Sequence, residues 1–493
     1  MKHLKNTPWF FLLLIVFFIL HGAVENFGFI YFTELIKVSF VIFSCVGLFY
    51  FLIKFFLKNS IHTALVCMFI CTWLLFFGAI FDWVKGIAIL YWLHSYTIFV
   101  PFMFVSFLIF ILFIRQKITL QHKLCLYLNV LLLIYCTYDA GALILKLIPA
   151  TKQTKHQQIN FDETLVKSKP NVYLLLFDEY PGYKSLKDSF SFRNDSLYQF
   201  LESKDFKILK TFSNYNMTFY SMASMLNMQY IDKPFIPLRN TMENDQQRIK
   251  EIKSALAVQY FISMGYSFTN YSIFDILDKP SVKGNSFVIS QATLITNKIF
   301  FNKLLHDIGW NFINGRLKIP YLNYMAMHED RNNKLIIKRL LENKPQPNFP
   351  PQFVYAHFTM PHPPIYYDSA GNYLPIETFF KEDNYLNKQK FLSQLKYTNS
   401  KIKKIVTALS SNDPNAIVIV MSDHGYRGYR ITTNNEPLHF NNICAVRLPD
   451  KNHLPMNDSM SNVNFFRYLF NCEFNQKISY LRDSSVFLKD VQQ

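Results

Sequence analysis

Two residues able to hold a metal stand side by side in Asp423-His424-Gly425, at the end of the run Ala416-Ile417-Val418-Ile419-Val420-Met421-Ser422. The apolar residues Ile417 to Met421 read as a buried strand that stops at the glycine. A carboxylate and an imidazole are therefore delivered together at the carboxyl end of a strand, where open α/β sheets place their ligands. As a pair they suit Zn²⁺ or Mn²⁺. Asp and Gly are also ordinary turn residues, so the tripeptide gains meaning only from what meets it.

Other stretches offer partners. Asn171 to Phe177 repeats the buried-strand pattern and ends in Asp178-Glu179-Tyr180-Pro181-Gly182. Either carboxylate could bind a cation, or both could be a solvated pair at a strand end. Ser213 to Asn227 passes from a polar turn into a helix-like run, with Thr218 near the helix start. Unpaired N–H groups and the positive dipole end there suit an anion. A hydroxyl at that place can attack a phosphoryl group if a metal lowers its pKa. Plain N-capping by Thr218 or Asn216 is the competing reading. Gln352 to Phe358 is a third strand, followed by Thr359-Met360-Pro361-His362-Pro363-Pro364. The prolines forbid regular structure and hold His362 at another strand end. After Asp423-His424 a polar loop from Tyr426 to Glu436 leads to Pro437-Leu438-His439, long enough to fold His439 back over a metal.

The elements that must position these residues alternate. A helix is expected around Ile249–Met264 and a short strand near Tyr266–Ile273. Leu386–Ser410 has apolar residues at helical spacing (Leu392, Leu395, Ile402, Ile405, Val406, Leu409) and reads as a helix packed on the sheet. Asn442–Leu448 is a further strand and Asn462–Leu469 a closing helix. This pattern predicts an α/β domain with a central, mostly parallel sheet flanked by helices. Each site residue has a bland explanation alone, but four strand-end ligand groups in one domain are hard to attribute to chance. Phe300–Asn348 is less readable; Trp310, Arg316, Tyr321 and Tyr324 could line a lipid-facing mouth.

The chain has 493 residues, 51% of them hydrophobic, and the apolar ones crowd into the first third. Five stretches there are long enough to cross a bilayer, which takes about 20 residues: Pro8–Val24, Leu35–Leu57, Ala64–Trp83, Ile89–Ile114 and Leu124–Leu147. The first could be a cleaved signal peptide, but four more follow it and no convincing small-residue site ends it. Lys2, Lys5, Lys54, Lys58, Arg115, Lys117 and Lys123 fall in alternate loops, while Glu25, Glu34 and Asp82, with a lone Lys85, fall in the others. The positive-inside rule then puts the N-terminus in the cytoplasm and everything after about Pro149 outside. His21, Glu34 and His94 could mark a substrate path or simply sit near headgroups and helix ends. The expected organisation is a five-helix transmembrane domain over 1–149, a polar linker over 150–170 and an extracytoplasmic domain over 171–493. The formal charge of +17 suits anionic lipid headgroups; no nucleic-acid motif accompanies it. Cys45, Cys67, Cys71, Cys125 and Cys136 act as small hydrophobes, and Cys444 and Cys472 could form one disulfide outside the cytoplasm.

Taken together, these motifs resemble the alkaline phosphatase and sulfatase superfamily, and within it the membrane-bound branch of lipoteichoic acid synthases and lipid A phosphoethanolamine transferases. The resemblance covers the architecture of the whole chain and is carried by short motifs from about Asn171 to Asn441. It implies that Asp178 is the first metal ligand, with Glu179 as a second acid. It further implies that Thr218, three residues before Ser221, is the nucleophile and a ligand, that Asp423, His424 and His439 are ligands, and that His362 contacts the transferred group. The cofactor implied is a divalent metal, Zn²⁺ or Mn²⁺. The function implied is transfer of a phosphoethanolamine- or phosphoglycerol-like head group from a phospholipid donor to an envelope glycan or lipid acceptor, at the bacterial inner membrane. A phosphatase or phosphodiesterase using water shares the same metal core, and a non-catalytic envelope binding protein would lack ligands that are present here. Three departures stand out. No Cys/Ser-x-Pro-x-Arg motif surrounds Thr218, which disfavours sulfate-ester hydrolysis. The several cysteine pairs usual in phosphoethanolamine transferases are missing. The acid turn reads Asp-Glu-Tyr where the two named families carry Glu-Thr or Glu-Ser.

Overall fold

The computed structural model describes residues 2–27, 30, 32–148, 159–231, 239–240, 242–281, 291–313, 323–324, 326–345, 349–379, 386–428, 436–449 and 459–490. Part of the expected linker, the middle of the loop before His439, and Arg316 and Tyr321 lie outside them. The chain divides into two compact units, one formed by Met1–Thr154 with Val288–Phe312 and the other by Lys155–Phe287 with Ile313–Gln493.

In the first unit the apolar stretches are helical: α1 (Phe10–Glu25), α2 (Phe32–Leu57), α3 (Ser60–Leu75), α4 (Phe77–Lys85), α5 (Tyr96–Ile114) and α6 (Ile118–Leu147). Three of them, α2, α5 and α6, are each long and apolar enough to cross a membrane. The consecutive α3 and α4 would make a fourth span if counted together, bent by 64° at their junction. At 16 residues α1 is shorter. A segment from much later in the chain completes this unit. Its Gln291–Thr296 helix packs on α1 and α2, and the Phe300–Ile313 helix sets Phe300 edge-on against Phe77.

The second unit is built on a six-stranded sheet. Its strands are β1 (Val172–Phe177), β2 (Lys207–Ile208), β3 (Ser267–Tyr271), β4 (Gln352–Phe358), β5 (Ile417–Met421) and β6 (Cys444–Arg447), in the spatial order β2-β6-β5-β1-β4-β3. Strands β3, β4, β1 and β5 pair in parallel. Both pairings of β6 are antiparallel, so the sheet is mixed. The cause lies between β5 and β6: among the described residues that connection holds a short 3-10 turn, Glu436–His439, and no crossover helix, so the chain returns beside the strand it has just left.

Every residue of β1 is fully buried, which is why it reads as a continuous apolar run and not as an alternation. Val172, Leu174 and Leu176 enter one core with Met222, Ala223, Met225 and Leu226 of helix α7 (Thr218–Asn227). Tyr173, Leu175 and Phe177 enter the other, with Leu395, Ile402, Ile405, Val406 and Leu409 of helix α8 (Lys388–Asn412). The α8 start is fixed by Asn387, whose side chain accepts from the Gln389 and Lys390 amides at 3.0 Å, a standard N-cap. No disulfide joins Cys444 to Cys472; both are buried thiols.

Candidate metal centre

Neighbouring strands β1, β5 and β4 end side by side, and each hands its next residues to the same rim of the sheet. From β1 comes Asp178, whose amide still donates to Phe358 O at the end of β4, at 2.9 Å. From β5 come Ser422, Asp423 and His424. Asp178, Asp423 and His424 are all fully buried, and each offers a ligand atom within 4.8 Å of the others.

Local hydrogen bonds orient these groups. His424 Nδ1 lies 2.8 Å from Gly425 O. A carbonyl only accepts, so Nδ1 carries the proton and Nε2 is left as a lone-pair donor. That Nε2 lies 3.3 Å from Asp423 Oδ2 and 3.8 Å from Asp178 Oδ1. The other Asp423 oxygen, Oδ1, accepts from the Glu179 amide at 3.1 Å and the His424 amide at 2.9 Å. Burial alone would raise the Asp423 pKa, but His424, His357, the Thr218 hydroxyl and the Glu179 amide outweigh it and hold the carboxyl below its usual range.

Thr218 is the first residue of α7. The N-cap is Met217, and no side chain caps this helix. Asn216 is occupied with Leu488, accepting from its amide at 2.8 Å and donating to its carbonyl at 3.0 Å. The Thr218 hydroxyl points instead to His424 Nε2, 3.3 Å away. Of the two readings that the sequence permits, the capping role is therefore not the one adopted. One turn on, Ser221 Oγ donates to Asp423 O at 2.6 Å and ties the helix start to the end of β5.

The remaining predicted residues fall elsewhere. Glu179 has a φ of +60°, a left-handed conformation that is uncommon for a non-glycine residue. Its carboxylate is not one of the group that lies within 4.8 Å around Asp178. It accepts from the Arg427 amide and lies 3.6 Å from His362 Nε2. Burial pushes its pKa up to about 7, against the pull of Arg427. His362 uses both ring nitrogens: Nδ1 meets Pro363 O, and Nε2 accepts from Arg427 Nη2 at 2.9 Å. Burial, then the Arg427 charge, push its pKa down to about 3, so it is a neutral acceptor. His439 is buried with its ring edge-on to Phe487, centroids 5.2 Å apart, and its carbonyl accepts from the Gly425 amide at 2.8 Å. It does not join the 4.8 Å group.

Sequence reasoning missed the supporting residues. Ser422 Oγ accepts from the Tyr180 amide at 2.9 Å, and Asn442 Nδ2 donates to Ser422 O at 2.6 Å. His357, fully buried in β4, meets Tyr355 Oη at 3.0 Å through Nδ1 and acts electrostatically on Asp423. Arg427 was legible only as a charge in a loop. A cavity of about 1170 Å³ lies along Pro437–Asn442, lined by Pro437, Leu438 and Phe440, and is not lined by Asp178, Thr218, Asp423 or His424.

Two buried carboxylates, a neutral imidazole and a hydroxyl fit a divalent cation. Anionic groups withdrawn from water need a compensating positive charge, and this O/N donor set suits Zn²⁺ or Mn²⁺.

The sulfatase family model matches residues 195–469. No curated protein matches the chain in sequence. Several solved structures are similar. Phosphonate monoester hydrolase SpPMH from Silicibacter pomeroyi is 13% identical, with 66% of this chain and 76% of that one covered and a TM-score of 0.39. The C-terminal periplasmic domain of EcEptC from Escherichia coli, in complex with Zn, is 11% identical, with 65% and 86% covered and a TM-score of 0.38. Phosphonate monoester hydrolase of Agrobacterium radiobacter is 13% identical, with 62% and 73% covered and a TM-score of 0.36.

Proposed function

Because the chain belongs to the sulfatase family, within the alkaline phosphatase superfamily of ester hydrolases and transferases, we propose that it moves a phosphoryl head group through a covalent intermediate on Thr218. The donor is a phospholipid and the acceptor an envelope glycan or lipid. The observation that carries this reading is the Thr218 hydroxyl, uncommitted to capping and 3.3 Å from His424 Nε2 beside two buried aspartates.

Asp178, Asp423, His424 and Thr218 would hold the cation, which when bound would lower the Thr218 pKa and offset charge on the ester oxygens. Asp423 accepts the Thr218 hydroxyl hydrogen. Thr218 Oγ bonds to phosphorus as the bond to the diacylglycerol oxygen breaks, and the proton that Thr218 gives up through Asp423 ends on that leaving oxygen. An acceptor hydroxyl then displaces Thr218 and restores it. Arg427, gripped by His362, supplies positive charge to the phosphoryl oxygens. His362 acts through Arg427 as a positioning residue.

We read five spans in the bacterial inner membrane, counting α1 and the bent α3–α4 pair as one span each, with the N-terminus cytoplasmic and the sheet unit outside. Support comes from the basic loops at Lys54, Lys58, Arg115 and Lys117.

Mass spectrometry of the Thr218 peptide after incubation with phospholipids tests the chemistry. A phosphoethanolamine or phosphoglycerol adduct is expected. A bare phosphate adduct would point to a phosphatase using water. A protein with bound metal that turns over lipid while Thr218→Ala does so equally well would overturn the covalent mechanism.

A further inference from the structure

Residues Val288–Phe312 group with the N-terminal helices although more than a hundred residues of the other unit precede them. Their docking is specific. The Gly78 amide donates to Lys298 O at 2.7 Å, and a Cβ on Gly78 would fall 2.9 Å from Lys298 Cα, so only glycine admits the contact. Ile295 lies against Gly22. Phe300 meets Phe77 with ring centroids 4.9 Å apart. Lys303 bridges Asp82 at 3.7 Å and Asp307 at 3.1 Å, and the Tyr96 hydroxyl donates to Asp307.

These anchors share one end of the helices, away from the basic loops. Trp83, Tyr91 and Trp92 stand exposed at that end, the residue types that mark the headgroup level of a bilayer. On the docked helix, Phe300 and Leu304 pack into the helical unit. One step round the helix, Phe301 is 67% and Leu305 40% exposed. Spaced by four, they share a face, which stays exposed among the described residues.

We infer that the Phe300–Ile313 helix lies in the headgroup region of the bilayer, on the face opposite the basic loops, with Phe301 and Leu305 set among lipid. The partner of this surface is the membrane itself. The sheet unit is joined in sequence to the helical unit at three places, near Thr154, Phe287 and Ile313.

The inference rests on the membrane reading proposed above, and spin labels can separate the two. Cys45 is exposed and the other cysteines are buried, so a Cys45→Ala full-length chain is a suitable background. In vesicles of phosphatidylethanolamine and phosphatidylglycerol, nitroxides at Phe301→Cys and Leu305→Cys are compared with Leu108→Cys on α5 and Lys338→Cys on the His328–Glu342 helix. Collisions with oxygen should exceed those with a water-soluble nickel chelate at 301, 305 and 108, and fall below them at 338. Nickel-dominated labels at 301 and 305 with a lipid-exposed 108 would overturn this inference alone. A nickel-dominated 108 would overturn the membrane reading and this inference with it.

Discussion

At Thr218 a hydroxyl, a helix start and a buried imidazole meet, and substitutions there separate catalysis from folding. Thr218→Ala removes the attacking oxygen but none of the groups that fix α7, because Ser221 still donates to Asp423 O. Turnover should fall to background and metal should be held less tightly, with Asp178, Asp423 and His424 left to bind it, while the metal-free protein melts at an unchanged temperature, checked by lipid turnover, elemental analysis and melting. Asp423→Asn acts differently: a buried carboxylate that balances a cation is replaced by a neutral amide. Metal content should drop, and the melting temperature should fall with it, because a ligand that binds only the folded state stabilises it. Arg427→Ala should cost about 10²–10³ in kcat if its charge is used in the transition state. His362→Ala should cost less, since Arg427 remains but loses the acceptor at 2.9 Å; equal losses in steady-state kinetics would contradict a positioning role for His362. Asp178, Asp423 and His424 were legible because a buried strand announces its own end and the residue after it. Glu179 was not: it follows Asp178 directly, and only its left-handed φ of +60° turns it towards Arg427. Nothing in a one-dimensional pattern reveals that choice. His357 was hidden for a related reason, as one polar residue within a strand whose run reads simply as buried.

Elements place these side chains through backbone-to-backbone contacts, and one of them can be probed without touching a ligand. Gly425 ends β5's turn against the Pro437–Asn442 segment. A Cβ there would lie 2.6 Å from Leu438 O, 2.7 Å from Asn441 O and 2.9 Å from His439 O. All three are main-chain atoms, so no side chain can swing aside. Gly425→Ala should destabilise the fold by about 1–3 kcal/mol, the range for overpacking a well-filled site. It should also lower turnover by shifting His439 and the turn that carries His424. Chemical denaturation and lipid turnover on the same variant check both, and an unchanged protein would mean that this segment is not held as tightly as the contacts imply. The strands and α8 were readable because their apolar periods are long and unambiguous. The mixed sheet was not, because strand direction depends on the connection: the polar stretch after Gly425 gives no sign that the chain doubles back beside β5 instead of crossing over. The helix expected across Ile249–Met264 is broken into Met242–Lys253 and Leu256–Ser263, with Ala255 between them in a non-helical conformation.

For the whole molecule, the distribution of charge argues for an orientation that can be measured directly. Lys54 and Lys58 join α2 to α3, and Arg115 and Lys117 join α5 to α6, while the ends marked by Glu25, Asp82 and Tyr96 lack such clusters. A basic loop is retained on the cytoplasmic side, so the opposite ends face outwards. The 291–313 segment packs on those same ends, where Lys298 and Lys303 reach Gly78 and Asp82. No hydropathy profile could have revealed where that segment attaches: its docking depends on a glycine in a helix more than two hundred residues earlier. With Cys45 replaced, a single cysteine at Lys338 should react with a membrane-impermeant maleimide in intact cells, whereas one at Lys58 should react only after the membrane is opened. The reverse result would place the metal centre in the cytoplasm and remove an envelope acceptor from consideration, whatever chemistry Thr218 performs.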